Sequence, residues 1–164
     1  MVVESSYDFL PGNYVSFPSS LKIVNTAEKT GRYTVSDQIP VIGNSVYATI
    51  NAKGNDILIS PTSLRIQYYD GTTWKQIRGE EFPMGNFDWR EFQTQPTPIP
   101  PEAQYLRARL WPAKGTIRLD DLQVYQDGVL IYENNFTAPI VQVAVSVVLP
   151  IVTGLGVVRF GKKG

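Results

Sequence analysis

Two short stretches of this chain carry the residue types that grip planar polar ligands. In the first, Tyr105, Arg107, Arg109 and Trp111 alternate with Leu106, Ala108 and Leu110; in the second, Arg65, Gln67 and Tyr69 alternate with Leu64, Ile66 and Tyr68. Successive side chains of a β-strand project to opposite faces, so each stretch reads as a strand with one apolar face and one face of guanidinium, amide and aromatic groups. If the two strands are neighbours in one sheet, the seven polar and aromatic residues form a shallow platform. Rings on such a platform stack on sugar faces, while guanidinium and amide groups bond hydroxyls or uronate carboxylates. The same composition also stabilises a plain solvated face through cross-strand and cation–π pairs, and the sequence admits both readings. Trp74, after a turn, and Trp89, at the start of a strand, read as packing residues.

The residue types also exclude chemistry. Histidine and cysteine are both absent, which removes Ser-His-Asp and Cys-His nucleophiles, imidazole and thiolate metal sites, and disulfides. Paired carboxylates alone can run glycoside hydrolysis. Asp120 and Asp121, however, are adjacent on a strand and are expected to diverge to opposite faces, as are Glu80 and Glu81. A pair drawn from different strands, such as Asp70 with Asp88, is the remaining route, and no acid–base signature supports it. The chain reads as a binding protein, not an enzyme. Its formal net charge is +0 with both signs dispersed, so it carries no broad basic footprint for nucleic acid.

The elements that must position the platform are strands. The chain has 164 residues, enough to bury a substantial core. Before residue 137 short alternating runs recur, and no long helical periodicity interrupts them. Strands are predicted near 14–25, 32–41, 45–52, 56–59, 63–70, 73–78, 87–94, 104–111, 115–125 and 128–134. Turn signals separate them at Pro11-Gly12, Gly43-Asn44, Gly54-Asn55, Asp70-Gly71, Ala113-Lys114-Gly115 and Asp127-Gly128.

Several of these features occur in a recognisable order: Trp89 in a strand, a loop ending in Pro100 to Ala103, an alternating strand, and then a Gly115-to-Leu122 strand with adjacent Asp residues. Together with the runs Thr30 to Val41 and Asn44 to Asn51, this pattern resembles the jelly-roll carbohydrate-binding modules with a galactose-binding-like fold, over roughly residues 13 to 126. The resemblance implies an all-β antiparallel sandwich that binds a carbohydrate or glycoconjugate without catalysis. It also implies a structural calcium at Asp121, with loop oxygens near the start of the domain as co-ligands; Asn13, Glu28 and Asp37 are the candidates. The chain departs from the family in lacking its usual Asn-Gly-x-Phe-Glu start. Asp121 reads equally well as a turn cap or the partner of an Arg.

Residues 1 to 136 are expected to form the sandwich domain, and 137 to 164 an appendage. The run from Thr137 to Val158 is uncharged and is followed by a basic tail at Arg159, Lys162 and Lys163. A run of about twenty apolar residues spans a bilayer as a helix, and a basic flank fits the cytoplasmic side. This predicts a C-terminal transmembrane anchor that holds the domain at the cell surface, where the Asn135-Phe-Thr137 sequon would also face outward. Alternation of Val141, Val143, Val145 and Val147 with Gln142, Ala144 and Ser146, together with Pro150, supports a different reading: a strand added to the sheet of another copy in a homo-oligomer. The rival function is accordingly a structural or assembly protein of a surface layer, filament or virion.

Overall fold

The computed structural model describes residues 3–16 and 18–137, and they form an all-β structure of two antiparallel sheets. The strands are β1 (Val3–Asp8), β2 (Ser20–Asn25), β3 (Tyr33–Thr34), β4 (Ile39–Pro40), β5 (Ser45–Leu58), β6 (Ser63–Tyr69), β7 (Trp74–Glu81), β8 (Gly85–Gln93), β9 (Thr97–Pro98), β10 (Tyr105–Trp111), β11 (Lys114–Gln126) and β12 (Val129–Asn134). The larger sheet runs β1-β2-β11-β5-β8, with β12 on β11 and β9 on β5. The smaller runs β3-β10-β6-β7, with β4 also on β10.

The alternation read from the sequence is what closes the sandwich. Leu64, Ile66 and Tyr68 on β6, with Leu106, Ala108 and Leu110 on β10, are all buried. They belong to the same core as Ile23 of β2, Val46, Ala48, Ile50 and Ala52 of β5, and Ile117, Leu119, Leu122 and Val124 of β11. The two apolar faces exclude water only by packing on each other, which leaves the odd-numbered residues of β6 and β10 on the outside of the smaller sheet. Phe136 is also buried in this core, and Ser19 Oγ donates to its carbonyl at 2.9 Å.

The hairpin signals are realised where a turn needs left-handed backbone. Asp127 and Gly128 have φ of 50° and 79°, and they join β11 to β12 as the Asp-Gly pair predicts. Asp70 and Gly71 likewise open the link from β6 to β7, where Asp70 Oδ1 accepts the N–H groups of Thr72 at 2.8 Å and Thr73 at 2.9 Å.

Three expectations are corrected. The strands predicted at 45–52 and 56–59 are one strand, β5, and Gly54-Asn55 is an irregularity within it. Register against β8 shifts on both sides of Gly54. The bare glycine lets the Phe87 ring lie on the backbone, at a place where a Cβ would come within 2.3 Å of Cε1. The strand predicted from 14 begins only at Ser20, because residues 13–16 form a loop held by β11. Finally, β1 was not predicted. Among the described residues it pairs only with β2, and it is mostly exposed and so lacks the alternation that a buried face imposes. The predicted C-terminal anchor lies, from residue 138 onward, outside the described residues. Among those described, no helix is long and apolar enough to cross a membrane.

Candidate functional site

The outer face of the smaller sheet brings together all seven residues predicted for the platform. β10 and β6 are antiparallel neighbours, and their register sets Tyr105 opposite Tyr69, Arg107 opposite Gln67, Arg109 opposite Arg65 and Trp111 opposite Ser63. β7 extends the rows: Tyr69 faces Trp74, Gln67 faces Gln76, Arg65 faces Gly79 and Ser63 faces Glu81. Because side chains opposite one another on the same face sit about 5 Å apart, these rows form a continuous surface.

Within it the rings and guanidinium groups interlock. The Arg65 Cζ lies 3.4 Å from the centroid of the Trp111 ring, and that of Arg32 lies 4.8 Å from it. Arg107 sits over Trp74 at 4.0 Å, and Trp74 in turn meets Tyr69 with ring centroids 5.3 Å apart. Hydrogen bonds fix the forks: Arg107 Nε donates to Gln67 Oε1 at 2.9 Å, Arg65 Nε to Ser63 Oγ at 3.0 Å, and Arg65 Nη1 to Gln76 Oε1 at 2.9 Å. Gln67 and Ser63 are buried although they point outward, since the longer side chains around them form the visible surface. Gly79 contributes no side chain, and an open depression lies there, lined by Ser63, Arg65, Gln76, Gly79 and Glu81.

The electrostatics of this face are those of crowded, partly desolvated cations. Burial lowers the Arg65 and Arg107 guanidinium groups from their ordinary value. The charge of Glu81 works against this at Arg65, while the charges of Arg32 at Arg65 and of Arg109 at Arg107 reinforce it. Two polar atoms of the face, Arg109 Nε and Trp111 Nε1, are buried with no hydrogen-bond partner.

Three contributors were not predicted. Trp74 was read as packing but stands on the platform; the Asp70-Gly71 turn before it could have signalled that β7 folds back beside β6. Arg32 and Gln76 reach the face through tertiary pairing, for which the sequence holds no local sign. Trp89 lies on the other sheet, where its Nε1 donates to the Gly12 carbonyl at 2.9 Å, a packing role. The larger sheet has an aromatic pair of its own, but Tyr47 and Tyr125 stack on each other at 4.7 Å.

Asp121 lies away from the platform, on β11 of the larger sheet. The expected divergence of Asp120 and Asp121 is overturned. Register against β5 breaks between Asp120 and Gln123, Asp121 takes a φ of 51°, and both carboxylates meet the loop before β2. Asp120 Oδ2 accepts N–H groups from Val15 at 2.7 Å and Ser16 at 2.6 Å, and its Oδ1 accepts that of Asp121 at 2.9 Å. Asp121 accepts from the Ser16 hydroxyl and, at 3.3 Å, from Asn51 Nδ2. Through these contacts the two carboxylates clamp the loop before β2 onto β11. Asn13, one suggested co-ligand, instead donates to Asp8 Oδ2 at 3.1 Å. Among the described residues no three His, Cys, Asp or Glu side chains gather as a metal site. Asp70 and Asp88, the remaining acid pair, stand on different sheets and bind Lys75 and Lys53.

With the geometry in place, comparison with known proteins adds the fold. No protein-family model matches the chain, and no curated protein matches it in sequence at a significant level. Solved structures do match. The enzymatically active domain of tailspike protein 4 from bacteriophage CBA120 superposes with a TM-score of 0.59 at 17% identity, over 79% of this chain and 18% of that one. The CBM22-1 and GH10 modules of a Clostridium thermocellum xylanase, complexed with xylohexaose, give 0.53 at 12% identity, over 77% and 25%. A xylan-binding domain of CBM 22 gives 0.53 at 18% identity, over 79% of this chain and 85% of that one. The likeness is one of fold. It establishes the β-sandwich shared with carbohydrate-binding modules, and the chain spans only a small part of the first two proteins.

Proposed function

We propose that this chain is a non-catalytic carbohydrate-binding module whose ligand lies across the outer face of β10, β6 and β7. The observation that carries the proposal is the register of β6 and β10, which aligns Tyr105 with Tyr69, Arg107 with Gln67 and Arg109 with Arg65 on a solvent-facing surface. Rings at this spacing offer stacking surfaces to sugars, and forked donors offer paired hydrogen bonds to their oxygens. The fold supports the reading, since a CBM 22 domain of similar size is a xylan-binding domain.

In this reading the uncharged segment 137–158 tethers the module to a membrane at a cell surface, supported by its length and its basic flank.

A glycan array probed with the full chain, followed by calorimetric titration of the best ligand, tests the proposal. Saturable binding should weaken on Trp74→Ala and on Gly79→Val. A Cβ at Gly79 meets its nearest atom at 3.5 Å, an ordinary contact, so a side chain can start there and extend into the depression, and the melting curve of the variant checks that the fold is kept. Absence of binding to any glycan, or binding untouched by both substitutions, rejects this face.

A further inference from the structure

The charge on the platform is out of keeping with a neutral ligand. Arg32, Arg65, Arg107 and Arg109 gather on or at the edge of one face, in a chain whose net charge is +0. The ion pairs among the described residues are Lys53–Asp88, Lys75–Asp70 and Arg118–Asp8, and none of them involves a platform arginine. Two acids stand nearby: Glu81, opposite Ser63 at one end, and Glu102, which accepts from the Tyr68 hydroxyl at 3.4 Å. Glu81 acts on Arg65 from one end of the face, while the charges of Arg107 and Arg109 bear on each other, and no ion pair among the described residues offsets either.

Like charges directly opposite on a sheet destabilise it, and local rules of this kind are broken chiefly where function requires it. The repulsion is relieved by one event: an anionic group arriving over the Arg109–Arg65 pair. A carboxylate is planar and matches a guanidinium fork through two parallel hydrogen bonds, whereas a hydroxyl supplies a single acceptor and no charge. The exposed Tyr105 ring remains available for the sugar that carries it.

We infer that the glycan recognised by this face is acidic, with its anionic groups held by Arg109 and Arg65 and flanked by Arg107 and Arg32. The inference rests on the carbohydrate-binding reading and narrows it to a class of ligand.

The test is calorimetric titration of the full chain with polygalacturonate, with the same polymer methyl-esterified, with chondroitin sulfate, and with neutral xylan and galactan. Polygalacturonate should bind, and its methyl ester, which keeps the backbone and loses the charge, should bind at least about tenfold more weakly. Raising salt from about 0.05 M to about 0.5 M should weaken polygalacturonate binding severalfold, because exposed charges are screened over a few ångströms at that strength. Arg109→Met should reproduce the loss seen with the ester and flatten the salt dependence. Arg32→Gln, at an exposed position where folding is not at stake, should do so in part, and Lys22→Gln on the opposite sheet should do neither. Binding of chondroitin sulfate alone, a polymer that bears both carboxylate and sulfate, keeps the anionic ligand and assigns it to a backbone other than polygalacturonate. Equal affinity for charged and esterified or neutral polymers overturns the inference while leaving carbohydrate binding intact. Binding to none of the polymers overturns both.

Discussion

Arg65 lies over the Trp111 ring, its Cζ 3.4 Å from the ring centroid, although the two residues come from different strands and are not direct partners in the register. The Trp111 ring is thus engaged by a guanidinium before any ligand arrives, and Arg65 is held in place by Ser63 and Gln76. A ligand that used the Trp111 face would have to move Arg65, and one that used the covered face of Trp74 would have to move Arg107; one that used Tyr105 would move neither.

This contact should appear as energetic coupling. A double-mutant cycle on Arg65→Ala and Trp111→Ala, followed by chemical unfolding, should give an interaction of about 0.5–1 kcal/mol. Additive losses would show that the guanidinium and the ring are neighbours without mutual stabilisation.

Asp8 and Arg118 form the best-buried ion pair among the described residues, 2.9 Å apart with side chains 8% and 13% exposed. Arg118 also donates to Asn55 Oδ1 at 2.8 Å, so it joins β1, β11 and β5. Arg118→Ala leaves the Asp8 carboxylate with the Leu10 N–H and Asn13 Nδ2 as its remaining donors and should cost about 2–3 kcal/mol in unfolding free energy. A loss below about 1 kcal/mol would mean that water reaches the pair and screens it.

Acid should loosen the hairpin that carries Trp74. The backbone N–H of Thr73, the Lys75 ammonium and the N–H of Thr72 hold Asp70 down to about 2, from an ordinary 3.8. A depressed carboxyl stabilises the fold above its unfolded value and loses that contribution as pH falls through its folded value, here between about 4 and 2. Asp8 adds a loss of the same sign: burial would raise it, but Arg118 and the Leu10 N–H outweigh that and hold it low. Asp120 runs the other way. Burial raises it in spite of its N–H donors, so its protonation favours the folded state as pH falls toward 3.8. Melting temperatures of the parent chain and Asp70→Asn should converge as pH falls from 4 to 2; parallel curves would show that Asp70 contributes nothing.

The Asp120 and Asp121 clamp separates a loop anchor from a calcium site. Asp120→Ala leaves the N–H groups of Val15 and Ser16 without their acceptor and should destabilise by about 1–3 kcal/mol in the presence of chelator. Melting curves of the parent chain with excess calcium and with chelator should coincide. A rise with calcium that disappears in Asp121→Ala would assign a metal to that carboxylate.

The platform was legible because its strands are two-faced. In residues 63–69 and 105–111 the apolar residues must all face the core, and the period of two then sends every guanidinium, amide and aromatic group outward together. The Asp127-Gly128 turn was legible for a comparable reason, since left-handed backbone selects its residues locally. What tertiary structure alone decided is which strands lie side by side. Pairing of β10 with β6, separated by about forty residues, turned two stripes into a surface, and the return of β7 brought Trp74 onto it. The bulge at Asp121 likewise reversed the expectation for two adjacent acids, because one positive φ cancels the alternation on which that expectation rested. Composition and period assign each side chain to a face; the partner across the sheet, and the charges it brings, come from contacts distant in the chain that no local pattern encodes.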